Sequence, residues 1–431
     1  MTMLHRTAGG LALALAAGLA IAGAGAAPAR AADLGGDCCS DLEERVAELE
    51  ATTVRHGNRK VTMTISGWVN AGVLIWDDGF DGTDNGVAFD HNNDIYVVNN
   101  DASTTRINFE GSGKIRDDLT AGYRIQLRPW GARLGNVSQV DHNPDSNQID
   151  VRNTYVYLDS KSLGKVQIGK QDSAADGAWY QDLGGSSTWI SNVNPGAWNY
   201  SFNLRQTPGN WLDTLVWGNL LSEMSDSQEN RIAYYSPSLH GFQIAASWGG
   251  DDTEAVALYY ANTYGTVNVA FGIGYDVSSR SDALGDQNVG HGLVDGDHTT
   301  LRKLAMSGSV YESRSGIYGT LAWSKAYADD TLCGCGTDRT DATNWYAKLG
   351  WRRNVSGLGE SNFYGEFDRT VDAFQNDTAA HIWGVGFTQD IDSVGSVFYI
   401  GYRHHELEDD VNQYVLSQHF DAVLTGLVVN F

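Results

Sequence analysis

The sequence predicts an all-β protein, a transmembrane antiparallel β-barrel of about 16 strands with long extracellular loops and a short helical segment before it. Three observations indicate this fold. Past residue 60 the chain becomes a series of segments of roughly ten residues in which apolar and polar residues alternate. The connections between these segments alternate between long and short. The composition, with 50 Gly, 20 Tyr and 13 Trp against 6 Pro, is typical of bending strands with aromatic belts.

The first 31 residues have the pattern of a secretory signal peptide. His5 and Arg6 precede an apolar run over 11–27, and Ala29-Arg30-Ala31 supplies a cleavage site with small residues. The apolar run is too short and too rich in Ala and Gly to be a good membrane-spanning helix. We therefore expect an exported chain, with cleavage after Ala31 or after Ala32.

Residues 32–59 are predicted to form a periplasmic helical leader. Leu42, Val46, Leu49 and Thr53 have spacings that match a heptad seam. The seam is too short to be stable by itself. Two interpretations stay open: a short three-stranded coiled coil, or a solvated helical or disordered leader.

The barrel is predicted to occupy 60–431. In 61–73 the odd-numbered positions are apolar or small and the even-numbered ones are mainly polar, which favours a sheet with one apolar and one polar face. The predicted strands are 61–73, 106–115, 119–128, 149–159, 164–171, 229–236, 240–249, 254–262, 265–277, 300–312, 315–326, 342–353, 361–371, 378–390, 396–405 and 418–431.

The final strand ends on an aromatic residue. Phe431, Val429, Leu427, Thr425 and Val423 fall on one face, because side chains on a strand alternate with a period of two. In this respect the chain resembles bacterial outer-membrane barrels, in which the last strand closes the barrel and its terminal Phe is recognised during assembly. The resemblance implies a role for Phe431 in closure and makes the barrel-assembly machinery a partner.

The connections predict which rim of the barrel carries the large loops. Short turns such as Arg116-Asp117-Asp118 alternate with long loops, as in transmembrane barrels. The longest connection, 172–228, is rich in Trp and Tyr, which indicates a folded segment rather than a free loop. A loop folded inward, a cap over the pore mouth and a surface subdomain are the open alternatives. The long loops are 77–103, 129–148, 172–228, 278–299, 327–341 and 406–417.

Charge and cysteine usage exclude several classes of function. A formal net charge of −24 makes nucleic acid an improbable partner. The four cysteines form two close pairs, Cys38-Cys39 and Cys333-x-Cys335, without the second ligand pair of a zinc site, and their disulfide state stays open. The histidines follow no catalytic pattern. We expect no catalytic residues, metal or cofactor.

Two hairpins carry a more specific family resemblance. The segments 151–172 and 229–242, which flank the longest loop, resemble the hairpins around the pore-folding loop of general diffusion porins. The leader together with 60–67 looks like the alphaproteobacterial branch of these outer-membrane porins. The resemblance implies a homotrimer of 16-stranded barrels, each narrowed by the loop 172–228 folded into its lumen, in contact with outer-membrane lipid and lipopolysaccharide.

In such porins acidic residues on the inward loop face basic residues on the barrel wall, and the charged ring sets selectivity. The resemblance therefore implies a pore constriction in this chain. An alternative for each basic residue is a salt bridge that ties the loop to the wall. The candidates are Asp172, Asp176 and Asp182 on the loop, with Arg106, Arg124, Arg128, Arg152 and Lys170 on the wall.

The function implied is passive diffusion of small hydrophilic solutes and ions through a water-filled pore in the outer membrane. A substrate-specific channel, for example for sugars, is the alternative, because Trp179, Trp189 and Trp198 could form an aromatic track. An outer-membrane enzyme would need a positioned nucleophile or acid–base group, and no such pattern is found.

Overall fold

A computed structural model describes residues 60–79, 83–84, 87–88, 93–129, 131–144, 148–191, 198–205, 211–219, 228–250, 253–278, 300–328, 341–373, 378–409 and 419–431. The predicted signal peptide, the predicted leader and the four cysteines lie outside the described residues. None of the helices in the described part of the chain is long and apolar enough to cross a membrane.

Seventeen strand segments form one antiparallel sheet. They are β1 Thr64–Asp77, β2 Asn93–Val98, β3 Arg106–Arg116, β4 Leu119–Pro129, β5 Ile149–Ser160, β6 Gly164–Gln171, β7 Glu229–Tyr235, β8 Phe242–Gly249, β9 Glu254–Tyr264, β10 Val267–Ser278, β11 Leu301–Glu312, β12 Ile317–Ala328, β13 Thr343–Arg353, β14 Ser361–Val371, β15 Thr378–Ile391, β16 Ser396–Asp409 and β17 His419–Asn430.

The remaining elements are short. Two small hairpins pair Thr83–Asp84 with Val87–Ala88 and Asn203–Arg205 with Trp211–Val216. The described 3-10 helices are Asp101–Ser103, Asp176–Ala178, Ser186–Thr188, Trp217–Asn219 and Asp392–Val394.

The sheet closes on itself, which confirms the predicted barrel. β1 pairs with β17 from Trp68 opposite Asn430 to Asp77 opposite Asp421. On its other edge β1 pairs with β2 along one part of its length and with β3 along another. These two segments together take the place of one strand, so the seventeen segments make a barrel of 16 strands. Closure leaves no open sheet edge, so the backbone groups of the strands are paired within the wall.

The strand β2 was not among the predicted strands, because it lies inside the predicted loop 77–103. Val97 and Ile95 pair with Val73 and Ile75 of β1, and this pairing extends the wall at that rim. The flanking Asn and Asp residues make the segment look like a loop in the sequence.

The terminal strand has the outward face that its alternation predicts. Leu427, Val429 and Phe431 are exposed on the outer surface, whereas Leu424 and Val428 on the other face are fully buried. The backbone of Phe431 continues the ladder, since its N–H donates to the carbonyl of Gly67 (3.0 Å) and its carbonyl accepts from the N–H of Gly67 (2.9 Å). Both faces of the last strand are thus apolar.

The inward apolar residues at this seam pack against loop segments inside the barrel. The ring centroids of Trp76 and Phe202 are 4.9 Å apart, and those of Phe202 and Phe420 are 4.7 Å apart. Leu134 and Trp217 belong to the same buried cluster. This differs from the wet, polar lumen that the alternation predicts, because the segments 131–144, 198–204 and 216–218 bring their own apolar side chains to the inner wall.

Candidate functional site

The segment 172–191 lies against the inner wall of the barrel. The hydroxyl of Tyr259 on β9 donates to the carbonyl of Ala174 (2.6 Å), and the N–H of Ala174 donates to Ser247 Oγ on β8 (3.0 Å). Farther along, the N–H of Gln181 donates to Ser307 Oγ on β11 (2.8 Å), and Asn362 Nδ2 on β14 donates to the carbonyl of Gly184 (2.5 Å). Inward-facing polar side chains on successive strands therefore hold the loop backbone to the wall.

Small residues allow this close approach. Ala174, Ala175 and Ala178 pack against Ala245 and Ala257 in one buried cluster. A side chain at Gly274 of β10 would collide with Ala175 and Ala178. The alternating Ala and Gly residues in the loop and on the facing strands are the sequence signal for this contact.

Asp172, where the loop begins, pairs with Arg152. Arg152 Nη2 donates to Asp172 Oδ1 (3.0 Å) and Nη1 to Oδ2 (3.3 Å), which is a bidentate pair. Gln228 Nε2 also donates to Asp172 Oδ1 (2.7 Å), so the two ends of the loop meet at this carboxylate. Burial raises the pKa of Asp172, but the Arg152 guanidinium more than offsets this, and the pKa lies below its usual range.

A β-bulge turns Arg152 toward the lumen. Gln126 of β4 is opposite Asn153, but Leu127 is opposite Val151, so Arg152 is the extra residue. A strict period of two would place Arg152 on the same face as Val156, which is exposed on the outer surface. Because of the bulge, Arg152 faces the lumen while Val156 still faces outward. Bulges near functional sites often redirect a side chain in this way.

Amide side chains fix the orientation of the neighbouring arginines. Arg124 Nη2 donates to Asn108 Oδ1 (3.1 Å), and Gln126 Nε2 donates to the same oxygen (2.6 Å). Arg152 Nη1 donates to Gln126 Oε1 (3.3 Å) and to Asn153 Oδ1 (3.0 Å). The chain of amides connects β3, β4 and β5 beneath the guanidinium groups.

The other basic candidates lie beside this chain of amides. Arg128 donates to Asp150 Oδ2 (2.5 Å), and Lys170 Nζ lies 3.9 Å from Asp150 Oδ1. Arg124 Nε is 3.3 Å from Glu110 Oε1. Arg106 is buried, with its guanidinium carbon 5.3 Å from the centroid of the Trp68 ring. The structure thus brings the four arginine candidates together on β3, β4 and β5. Lys170 differs from the prediction, because it follows the exposed Ile168 in the outward row of β6, opposite Thr154 and Asn230.

The three aspartates are instead distributed along the loop. Asp182 forms an ion pair with Lys348 of β13 and accepts hydrogen bonds from Thr320 Oγ1 (3.0 Å) and the N–H of Gly184 (2.7 Å). Burial raises the pKa of Asp182, but the Lys348 ammonium and these hydrogen bonds lower it by a larger amount, so the pKa lies below its usual range. Asp176 is buried in the 3-10 helix Asp176–Ala178, between the two ion-paired aspartates.

Lys348 is a site residue that the sequence analysis missed. Its side chain is 0% exposed, and Nζ also donates to Ser186 Oγ (3.2 Å), Ser191 Oγ (3.1 Å) and the carbonyl of Ser191 (3.2 Å). The signal was present, because Lys348 follows Asn344 and Tyr346 on the polar face of β13. Parity places Lys348 inside the barrel but does not say that the loop reaches it.

The loop tryptophans are mostly covered. Trp179 and Trp198 are 1% and 0% exposed, and Trp189 packs edge-to-face on Trp68 with the centroids 6.0 Å apart. The guanidinium of Arg403 lies 4.8 Å from the Trp198 ring centroid and its Nε donates to Glu366 (2.8 Å). These rings pack the loop on the wall rather than line an open path.

Comparisons with known proteins agree with the barrel architecture. A family model described as Gram-negative porin matches residues 12–410. Among curated proteins no sequence matches the chain.

Several solved structures share the fold. A loop-deletion form of OmpT, an outer membrane protein of Vibrio cholerae, has 13% sequence identity and a TM-score of 0.54, over 86% of this chain and 100% of that one. The anion-selective porin from Comamonas acidovorans has 15% identity and a TM-score of 0.51 over 86% and 100%. OmpF of Salmonella typhi, in complex with daunomycin, has 14% identity and a TM-score of 0.52 over 88% and 100%.

Proposed function

The chain belongs to the Gram-negative porin family and forms a channel through the outer membrane, and we propose that the loop 172–228 narrows this channel beside the arginines of β3, β4 and β5. The observation that carries the proposal is the course of 172–191, which is bonded to inward side chains from β8 to β14. A loop held inside the barrel occupies part of the lumen, so solutes pass between it and the remaining wall.

Within this channel the charged candidates set selectivity. Asp172 and Arg152 lie where the loop begins, and Arg106, Arg124 and Arg128 lie on the neighbouring strands β3 and β4. Lys170 contributes its charge at the rim, near Asp150. Asp182 has a different role, because its pairing with Lys348 anchors the loop. Asp176 contributes charge to the loop between these two points.

A general diffusion channel is favoured over a sugar-specific one. A sugar track needs aromatic faces open to the solute, and two of the three loop tryptophans of the predicted track are fully covered. An enzyme is disfavoured as well. His404 Nδ1 lies 2.8 Å from Asp421 Oδ1, but the third group at that carboxylate is the phenol of Tyr402 and the pair faces outward.

The assembly and export of the chain are proposed from sequence and surface together. A homotrimer is supported by the trimer form that is described for OmpT of Vibrio cholerae. Residues 1–31 act as signal peptide and 32–59 as periplasmic leader, in a porin of the alphaproteobacterial branch. Outer-membrane lipid, lipopolysaccharide and the barrel-assembly machinery, which reads Phe431, are the other partners.

Purified protein in planar bilayers tests the function. We expect discrete conductance steps that scale with salt concentration, and swelling of protein-containing liposomes that rises linearly with the concentration of several small sugars. Unboiled samples should migrate as a heat-sensitive trimer, because paired barrels resist detergent. Flux that saturates with one sugar would favour the substrate-specific channel, and silent bilayers would contradict a channel.

A further inference from the structure

A packed body lies inside the barrel at the seam where β1 meets β17. We call this body the seam plug, and its segments are 131–141, 198–204 and 216–218. Leu134, Val137 and Phe202 of the plug are each 0% exposed. They belong to one buried cluster with Trp76 of β1 and Phe420 of β17. The plug therefore has an apolar core, which it shares with the strands that close the barrel.

Hydrogen bonds join the two loops of the plug to each other. Gln139 Nε2 donates to the carbonyl of Asn203 (2.9 Å), and the N–H of Asn203 donates back to Gln139 Oε1 (2.9 Å). Ser201 Oγ donates to the carbonyl of Gly135 (2.6 Å). The side chain of Gln139 is buried, so water does not compete for its bonds. Segments from two different loops thus behave as one unit.

The plug is also bonded to the wall beside β2. The N–H of Asn99 donates to the carbonyl of Ala132 (2.6 Å), and the N–H of Leu134 donates to the carbonyl of Asn99 (2.9 Å). The hydroxyl of Tyr96, on the inner face of β2, donates to the carbonyl of Ser138 (3.1 Å). The strand β2 and the residue that follows it therefore support the plug from the wall.

The core of the plug lies in the half of the lumen nearest the long loops. Trp76 and Phe420 are one residue from the ends of β1 and β17 at that rim. The anchor of the segment 182–191 lies deeper, because Lys348 is five residues from Thr343, where β13 begins. Five residues span about 17 Å along a strand. The core of the plug and this anchor are thus at different depths in the barrel.

We propose that the seam plug is a second narrowing element, which sets the largest solute that enters the lumen from the rim with the long loops. The aromatic side chains of the plug are buried only while they lie against the wall, so the plug stays in the lumen while solutes pass. Solutes lose the space that it fills. The inference goes beyond the proposed function, because it adds the predicted loop 129–148 to the residues that select solutes and gives this selection its own depth.

A charge placed in the core of the plug should dislodge it. Val137→Asp puts a carboxylate among apolar side chains, and an unpaired buried charge is so costly that the segment moves into water instead. The wall keeps its own backbone hydrogen bonds. Val140→Asp is the matched control, because Val140 lies in the same loop but is 67% exposed. Gln139→Ala is a milder test, which removes the two bonds to Asn203 without adding a charge.

Neutral polyethylene glycols of graded size measure the opening in single-channel recordings, because a polymer that enters the lumen lowers the conductance. From the side of the long loops, larger polymers should enter Val137→Asp than enter the parent protein, and Gln139→Ala should lie between the two. Val140→Asp should match the parent. From the opposite side the size limit should be the same in all four proteins, since the core of the plug lies in the other half of the lumen.

The heat-sensitive band of each variant checks that it has assembled. If Val137→Asp does not assemble, the comparison of Gln139→Ala with the parent decides the matter. A size limit on the long-loop side that is equal in every assembled variant, or that shifts equally from both sides, would overturn the second narrowing element. Failure of the proposed function would look different, because deleting 176–191 would then leave the conductance unchanged, whatever the plug variants show.

Discussion

Replacing Lys348 with methionine tests the anchor that holds the inward loop on β13. Lys348 Nζ pairs with Asp182 and donates to Ser186 and Ser191, so one ammonium fixes both ends of the segment 182–191. Methionine keeps most of the volume but removes the charge. Asp182 is then left as a buried carboxylate with Thr320 and the N–H of Gly184 as its remaining donors.

The magnitude follows from the burial of this pair. Breaking a buried ion pair by removing one partner costs about 3–5 kcal/mol. The barrel wall has its own backbone hydrogen bonds, so the loss falls on the local opening of the loop rather than on the whole fold. A loss of about 3 kcal/mol raises the population of detached loop roughly 100-fold.

Single-channel recording detects this change. We expect Lys348→Met to show frequent current fluctuations and a higher mean conductance. The double variant Asp182→Asn, Lys348→Met should recover part of the parent behaviour, because no unpaired charge stays buried. Lys325→Met is the control, since Lys325 forms a partly exposed pair with Asp341 on the outer face, worth roughly 0–1 kcal/mol. If the Lys348 and Lys325 variants both behave like the parent, the ion pair does not hold the loop.

Three further predictions concern selectivity, pH and assembly. Asp172→Asn should shift the reversal potential in a salt gradient toward anions, because Arg152 loses its carboxylate, and Arg152→Gln should shift it toward cations. The pKa of Asp182 is depressed in the folded protein, so the Asp182–Lys348 pair stabilises the loop fully at pH values above the ordinary carboxyl pKa. This stabilisation is lost as the pH falls through the folded pKa of Asp182. Current noise should therefore stay constant down to about pH 4 and rise below it. Deleting Phe431, whose side chain is 58% exposed outside the barrel, should lower surface levels on immunoblots without changing the conductance of assembled channels.

The positions of the barrel strands could be predicted from sequence because each strand has its own local signal. β6 and β14 begin and end where the alternation predicts, and the other predicted strands differ by a few residues. β2 was missed because its six residues are too few for a clear period and are flanked by Asn and Asp. The aromatic packing of Trp76 with Phe202 was also missed, since it joins residues far apart in the chain.

Part of the candidate site could be predicted from the sequence. The family resemblance pointed to Arg106 and Arg124, and the alternation of their strands agrees with an inward position for both. Arg152 reaches the lumen through a bulge, and the alternation of residues along the strand does not show where a bulge occurs. The partner of Asp182 depends on how far the loop travels around the wall, and no local pattern records that distance.

Shortening the loop tests the central claim most directly. Deleting 176–191 removes the segment that is bonded to β11 and β14, while the barrel strands and Asp172 stay in place. If this loop narrows the channel, single-channel conductance of the assembled variant should be clearly higher than that of the parent protein, with heat-sensitive trimers unchanged. Equal conductance in the two proteins would contradict the account, because the loop would then lie outside the path of the ions.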